Sequence, residues 1–311
     1  MKKEVLLFLI LLPLGAKMFF SISANLTVTE PSTQSQQVEA HAGSLVIEPE
    51  DSVIAGLTQT EAPTEPSQAK IYYTYEQLLS LSNDWITYGP GTAKDGEPAP
   101  YAPGAQEQYG KYDAHFLEDA ENVIYLTFDC GYEYYTKDGD SVTAMILDTL
   151  KEKDVKALFF VTGSYVEKNP GLVWQMIEEG HALGNHGYSH KSMPSLGITD
   201  MENEILSLHD KVMTDFHYTM KFFRPPEGAF SIRSLAVTQN VGYDTVHWSF
   251  GYSDWDPENQ PEASAALDKI LSCHHDGAIY LLHALSTTNA QILGDVIDGL
   301  RGMGYRLELL A

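Results

Sequence analysis

From Val123 onward the chain alternates short apolar runs with longer amphipathic segments, and no other feature narrows the possible folds as far. The apolar runs are VIYLTF (123–128), ALFFVT (157–162), HALGNH (181–186), KFFRP (221–225), DTVHWSF (244–250), AIYLLH (278–283) and YRLELL (305–310). The first is β-branched or aromatic nearly throughout, the composition of a strand buried on both faces. Between the runs, SVTAMILDTLKEKD, PGLVWQMIEEG, SLGITDMENEILSLHDKVMTDF, SIRSLAVTQNVG and TNAQILGDVIDGLRGMG carry helical spacing. In the third of these, Thr199 three residues before Glu202 predicts a capping box. Strand and helix alternating in this way predict βα units around a parallel sheet, an α/β fold.

Ionisable residues follow nearly every predicted strand. Asp129 ends the first, His186 and His190 bracket the end of the third, Arg224 lies in RPPEG, Asp254 and Trp255 in GYSDW, and His283 in LLHALS. In a β/α barrel the C-terminal rim of the strands is where catalytic groups converge. One histidine at a strand end is more often structural than catalytic; repetition at strand after strand is what points to a site.

The chain before this core reads differently. MKKEVLLFLILLPLGAKMFF places Lys2 and Lys3 ahead of an apolar segment that starts at Val5, and small residues follow through Ala24. Residues 1–24 are therefore expected to be a secretory signal or an N-terminal membrane anchor. Ile22 is a poor residue at the third position before a cut after Ala24, so retention as an anchor stays open. Residues 25–70, rich in Ser, Thr, Gln, Glu and Pro, read as a disordered stalk. Residues 71–120, with YGPGTAKDGEPAPYAPG too dense in Gly and Pro for long elements, read as an irregular lead-in packed on the domain at 121–311.

The net charge of −24 argues against nucleic acid, whose binding rests on neutralising phosphates. It suits a secreted protein kept soluble by its charge. Cys130 and Cys273 can form one disulfide outside the cell, but no CxxC pair or disulfide framework is present.

His186 and His190 form an HxxxH pair in GNHGYSHKS, able to offer two imidazoles to zinc, iron, cobalt or nickel. Without HExxH, a zinc-protease reading lacks its glutamate base. A metal on two histidines with open positions polarises a carbonyl and acidifies its bound water. Amide hydrolysis then needs a base, a role open to Asp129, and an acid, open to His283 if a neighbour keeps it protonated. Arg224 and Asp254 fit as the residues that orient and tune these two.

In order, TFDCGYE, GNHGYSH, RPPEG, WSFGYSDW and LLHALS resemble the motifs of the NodB-type polysaccharide deacetylases, carbohydrate esterase family 4. TFD-x-GYE, WSFGYSDWD and LSTTNAQIL are most similar to its PdaA-like branch, the delta-lactam-forming muramic acid de-N-acetylases. The resemblance implies a distorted (β/α)7 barrel, a divalent metal ion, zinc first among candidates, and hydrolysis of an N-acetyl group on peptidoglycan glycan strands. It implies a secreted enzyme, or one anchored on the outer face of the cytoplasmic membrane, working on the cell wall, in sporulation if the branch is followed. By position, Asp129 matches the catalytic base, His186 and His190 the metal ligands, Arg224 the partner of the base, His283 the general acid and Asp254 the residue that tunes it.

Three positions depart from the pattern. Where many members have TFDDG, with the second aspartate a third ligand, this chain has Cys130, which stands open as a ligand, a disulfide partner of Cys273 or a buried filler. The branch usually continues GYENG, but here Tyr134 and Tyr135 follow Glu133. The second histidine is usually followed by proline, but here by Lys191. The expected function is N-deacetylation of N-acetylmuramic acid. Its rivals are N-acetylglucosamine in peptidoglycan or a chitin-like glycan as substrate, a glycoside hydrolase using Asp129, Glu133 and Asp254, and a non-catalytic wall-binding domain.

Overall fold

The computed structural model describes residues 72–94 and 96–310. The expected signal or anchor (1–24) and stalk (25–70) lie outside the described residues. In chain order the strands are β1 (Ile86–Thr87), β2 (Ala114–His115), β3 (Val123–Cys130), β4 (Leu158–Val161), β5 (Ala182–Asn185), β6 (Phe222–Phe223), β7 (Ala229–Phe230), β8 (Asp244–Val246), β9 (Phe250–Gly251), β10 (Ala278–His283) and β11 (Arg306–Glu308). The helices are α1 (Tyr75–Ser80), α2 (Ala102–Tyr109), α3 (Val142–Glu152), α4 (Gly163–Lys168), α5 (Pro170–Glu178), α6 (Ile198–Phe216), α7 (Ile232–Asn240), α8 (Ala263–Ser272) and α9 (Thr287–Gly302).

The main sheet runs β2-β8-β6-β5-β4-β3-β10-β9, with β11 beside the start of β3, and every pairing in it is parallel. Among the described residues no strand pairing joins β9 back to β2, so the sheet curls into a half-barrel that stops short of closure. The predicted α/β barrel is thus found in its distorted, open form.

Strand alternation sorts side chains into two apolar layers. Ile124, Leu126, Phe128, Phe159, Val161, Phe223, Tyr280 and Leu282 join the large core between sheet and helices. Leu158, Phe160, Phe222, Val246 and Ile279 form a smaller cluster on the concave face. Register along each strand then sends Thr127 and Asp129 inward with Tyr125, Arg224 inward with Phe222, and Leu281 and His283 inward with Ile279. The period of two that builds the core also delivers these polar groups to one side.

Some elements are shorter than the sequence suggests, for identifiable reasons. KFFRP is a strand only over Phe222–Phe223, because Pro225 has no N–H to donate and the Arg224 carbonyl accepts from the His186 ring at 2.8 Å. DTVHWSF splits into β8 and β9, because the carbonyls of Val246 and His247 accept from the Arg224 guanidinium, each at 3.1 Å. The capping box at Thr199 is not formed. Gly197 is the N-cap of α6, without a side-chain cap, since burying Ile198 places the helix start ahead of Thr199.

The lead-in is more ordered than its Gly and Pro content implies. α1 carries a capping box from Thr74 and Gln77, and Arg233 binds the carbonyls of Leu78, Leu79 and Leu81 at its C-terminal end. β1 pairs antiparallel with β7, next to the RPPEG turn, and β2 belongs to the main sheet.

Candidate active site

The six expected site residues gather at the C-terminal rim of the sheet. Asp129, His186, His190 and His283 line one cleft of about 770 Å³, together with Gly131, Tyr132, Trp248, Trp255, Leu281 and Leu285. Arg224 and Asp254 lie behind the cleft wall, both fully buried.

On one side, Arg224 Nη1 donates to Asp129 Oδ1 at 2.8 Å. Its other donors go to the two carbonyls named above, so the guanidinium is fixed in direction as well as charge. Its central carbon sits 4.1 Å from the centre of the Phe160 ring, a cation–π shelf. That shelf depends on Gly184, where a Cβ would stand 2.4 Å from Phe160 Cδ1. Burial alone would raise the Asp129 pKa, but Arg224, His186 and His283 outweigh it and hold the carboxyl below its ordinary value.

His186 donates from Nδ1 to the Arg224 carbonyl, in the tautomer that leaves Nε2 a bare lone pair. Burial pushes its pKa down to about 4, so near neutrality it is the uncharged imidazole that metals prefer. Its Nε2 lies 3.4 Å from Asp129 Oδ2, an acceptor facing an acceptor, which a cation beside both would relieve. The His190 ring stands 4.8 Å from that of His186, centre to centre. These donors fit a divalent metal on two imidazoles. Among the described residues no third His, Cys, Asp or Glu completes a ligand set, leaving the remaining positions to water or substrate.

On the other side, Asp254 accepts three hydrogen bonds. They come from His283 Nδ1 at 2.7 Å, the His283 N–H at 2.8 Å and Asn289 Nδ2 at 2.6 Å. Burial disfavours a charged His283, but the bond to Asp254 and its charge, with Asp129 beyond, more than offset that and raise the His283 pKa. The ring is thereby kept ready to give up a proton from Nε2.

Cys130 is not part of the cleft. Neighbouring strand positions face opposite ways, so Cys130 joins the helix-side core with Phe128. It is a free thiol, as is Cys273, so no disulfide links them. Burial, with Asp129 and Glu133 nearby, pushes its pKa up, away from the thiolate a metal needs. Glu133 is also engaged elsewhere: it accepts from the N–H and hydroxyl of Thr143 and from Ser141 and Tyr165, holding the start of α3. With Asp129 on Arg224, Glu133 on α3 and Asp254 buried behind the wall on His283, the three carboxylates considered for a glycosidase do not face one another as a pair across the cleft.

Several supporting residues were not among the expected site residues. Asn289 bridges Asp254 and, at 3.2 Å, the His283 carbonyl, and Tyr252 donates to Asn289 in turn. Asn185 ties the histidine loop to α6 through the Ile205 carbonyl at 2.8 Å. His247 stacks on Phe116, with ring centres 4.6 Å apart, and burial beside Arg224 holds its pKa near 3. Asn185, Tyr252 and Asn289 lie inside the motifs GNHGYSH, WSFGYSDW and LSTTNAQIL, but nothing in those motifs marks them as supports.

Comparison with known proteins gives the family. The polysaccharide deacetylase family profile matches residues 117–246. The chain is 36% identical over 237 residues to the peptidoglycan-N-acetylmuramic acid deacetylase PdaA of Bacillus subtilis, covering 75% of this chain and 87% of that protein. The solved structure of that protein, a family 4 carbohydrate esterase, superposes with a TM-score of 0.69 at 35% identity, covering 74% of this chain and 97% of the other. A peptidoglycan-N-acetylglucosamine deacetylase of Listeria monocytogenes is 37% identical over 182 residues, 58% of this chain but 36% of its own length. The chain belongs to the polysaccharide deacetylase family. It is accordingly a hydrolase acting on carbon–nitrogen amide bonds of glycan substituents.

Proposed function

We propose that the protein removes the N-acetyl group of N-acetylmuramic acid in peptidoglycan, with His186 and His190 holding a zinc ion. Two imidazoles with open positions suit zinc. When bound, the ion polarises the acetamide carbonyl and acidifies the attacking water. The chain's own groups divide the proton work. Asp129, kept ionised by Arg224, takes the water proton. His283, kept protonated by Asp254, gives a proton to the departing sugar nitrogen. Each such group typically contributes ~10² to 10⁴ in rate. Leu281, Leu285 and Trp248 give the cleft an apolar wall for the acetyl methyl. Exposed Tyr132 and Trp255 at the cleft offer flat faces to sugar rings.

The observation that carries this reading is the opposite tuning of Asp129 and His283 beside the paired rings of His186 and His190, the first of them held neutral by burial. Muramic acid is favoured by the length over which the chain follows the Bacillus subtilis N-acetylmuramic acid deacetylase. The same reading places the enzyme outside the cytoplasm, secreted or held by residues 1–24, with peptidoglycan strands as its partner. Purified enzyme on peptidoglycan with trimmed stem peptides is expected to release acetate and leave muramic acid with a free amine able to close to the lactam. Deacetylation of glucosamine alone would overturn the muramic assignment, and reducing ends without acetate would overturn the reaction.

A further inference from the structure

The loop GNHGYSHK carries both candidate metal ligands, and its second half is wrapped around one side chain from α6. Glu204 Oε1 accepts from the Ser189 N–H at 2.6 Å and from the Lys191 N–H at 3.2 Å, the two amides that flank His190. The Tyr188 N–H donates to the Glu204 carbonyl at 2.9 Å. Glu204 is buried and makes no ion pair among the described residues, so its charge is met by backbone amides. His190 itself has φ +56°, a left-handed conformation that a non-glycine residue holds only when its surroundings fix it. Main-chain N–H groups converging on one anion in such a turn form a small anion-binding nest.

Two further details show that the loop is shaped to this carboxylate. Gly187, at φ +80°, would place a Cβ 3.0 Å from Glu204 Oε1. Residue 191 is lysine, and the N–H it supplies is one that proline lacks. Its ammonium is not needed for the contact.

We infer that Glu204 is a positioning residue for the metal centre, setting the direction of His190 through the backbone on either side of it. The inference rests on the reading of His186 and His190 as metal ligands. It assigns Glu204 the role that an outer hydrogen-bond partner plays for a metal-bound histidine, acting through the main chain instead of the ring. Loss of such partners typically weakens metal binding ~10- to 100-fold.

The test is zinc affinity of the full-length protein, by competition with a chromophoric chelator, with the thermal midpoint of the metal-free protein measured alongside. Glu204→Ala is expected to bind zinc about 10- to 100-fold more weakly. Glu204→Gln, whose amide oxygen can still accept both N–H groups, is expected to recover most of that affinity. Lys191→Ala keeps its N–H and is expected to match the wild type. If Glu204→Ala does not fold, Glu204→Asp, with its oxygen drawn back from the loop, is expected to show the loss in milder form. Wild-type affinity in whichever of these two variants folds overturns the inference, as does failure of Glu204→Gln to recover. His190→Ala separates the two levels. If it too binds zinc as tightly as wild type, the ligand assignment falls and this inference with it; if only His190→Ala loses zinc, the role of Glu204 alone is wrong.

Discussion

The two walls of the cleft hold their charged groups in contrasting ways. On the Asp129 side, a buried carboxylate meets a buried guanidinium that is itself pinned by two carbonyls and an aromatic ring. On the His283 side, the ring reaches the cleft while the partner that sets its charge, Asp254, is sealed behind it by Asn289 and the His283 main chain. Net effects on proton affinity oppose each other: Asp129 is held below its ordinary pKa, His283 above. On the proposed roles, a base that must stay ionised and an acid that must stay protonated would both be drawn from one pool of buried charge, each given a partner of opposite sign. Such divergence between neighbouring groups is how acid and base roles are assigned at one pH.

The largest effect should come from breaking the pair on the Asp129 side. Arg224→Met leaves a buried carboxylate without its counter-charge, a change expected to cost about 3–5 kcal/mol of stability and to abolish acetate release. Chemical denaturation and an acetate assay check the two parts; a variant of wild-type stability would mean that Arg224 is not the partner it looks to be. Asp129→Asn keeps the shape and removes the base, so acetate release is expected to fall ~10² to 10⁴-fold in a protein with an undisturbed circular dichroism spectrum. Unchanged release would refute Asp129 as the base. The smallest effect is expected at Cys130. Cys130→Ala should lower stability by about 1 kcal/mol and leave zinc affinity within about twofold, because the thiol faces the helices; a tenfold loss of zinc would return Cys130 to the ligand set.

Much of this was legible in the sequence because period and burial are local signals. Asp129, His186, Arg224 and His283 each follow an apolar run closely enough for the strand to deliver them to the rim, and the order of motifs suggested the roles proposed for them. What was not legible depends on contacts between distant segments. That Cys130 turns away from the cleft follows from which face of β3 meets the helices, a property of the assembled sheet. Thr199 looked like a cap because Ser/Thr-x-x-Glu is a local pattern, but the burial of Ile198 set the helix start. Glu204 lies outside every motif, and Asn185 and Asn289, though inside GNHGYSH and LSTTNAQIL, act through contacts with other segments that the motifs do not reveal. The lead-in also hid its order: Arg233, 152 residues from Leu81 in sequence, closes the end of α1.

The contrast between the walls is tested most directly by the pH dependence of kcat/KM for acetate release in wild type and Asp254→Asn. As the proposed acid, His283 would work only while protonated, so activity is expected to be lost as pH rises through its raised pKa. Removing the Asp254 charge lowers that pKa. The basic limb of the Asp254→Asn profile should therefore move to lower pH, while the acidic limb, set by groups on the Asp129 side, stays in place. A profile that merely drops in height, with both limbs unmoved, would contradict the assignment of His283 as the acid that Asp254 keeps charged.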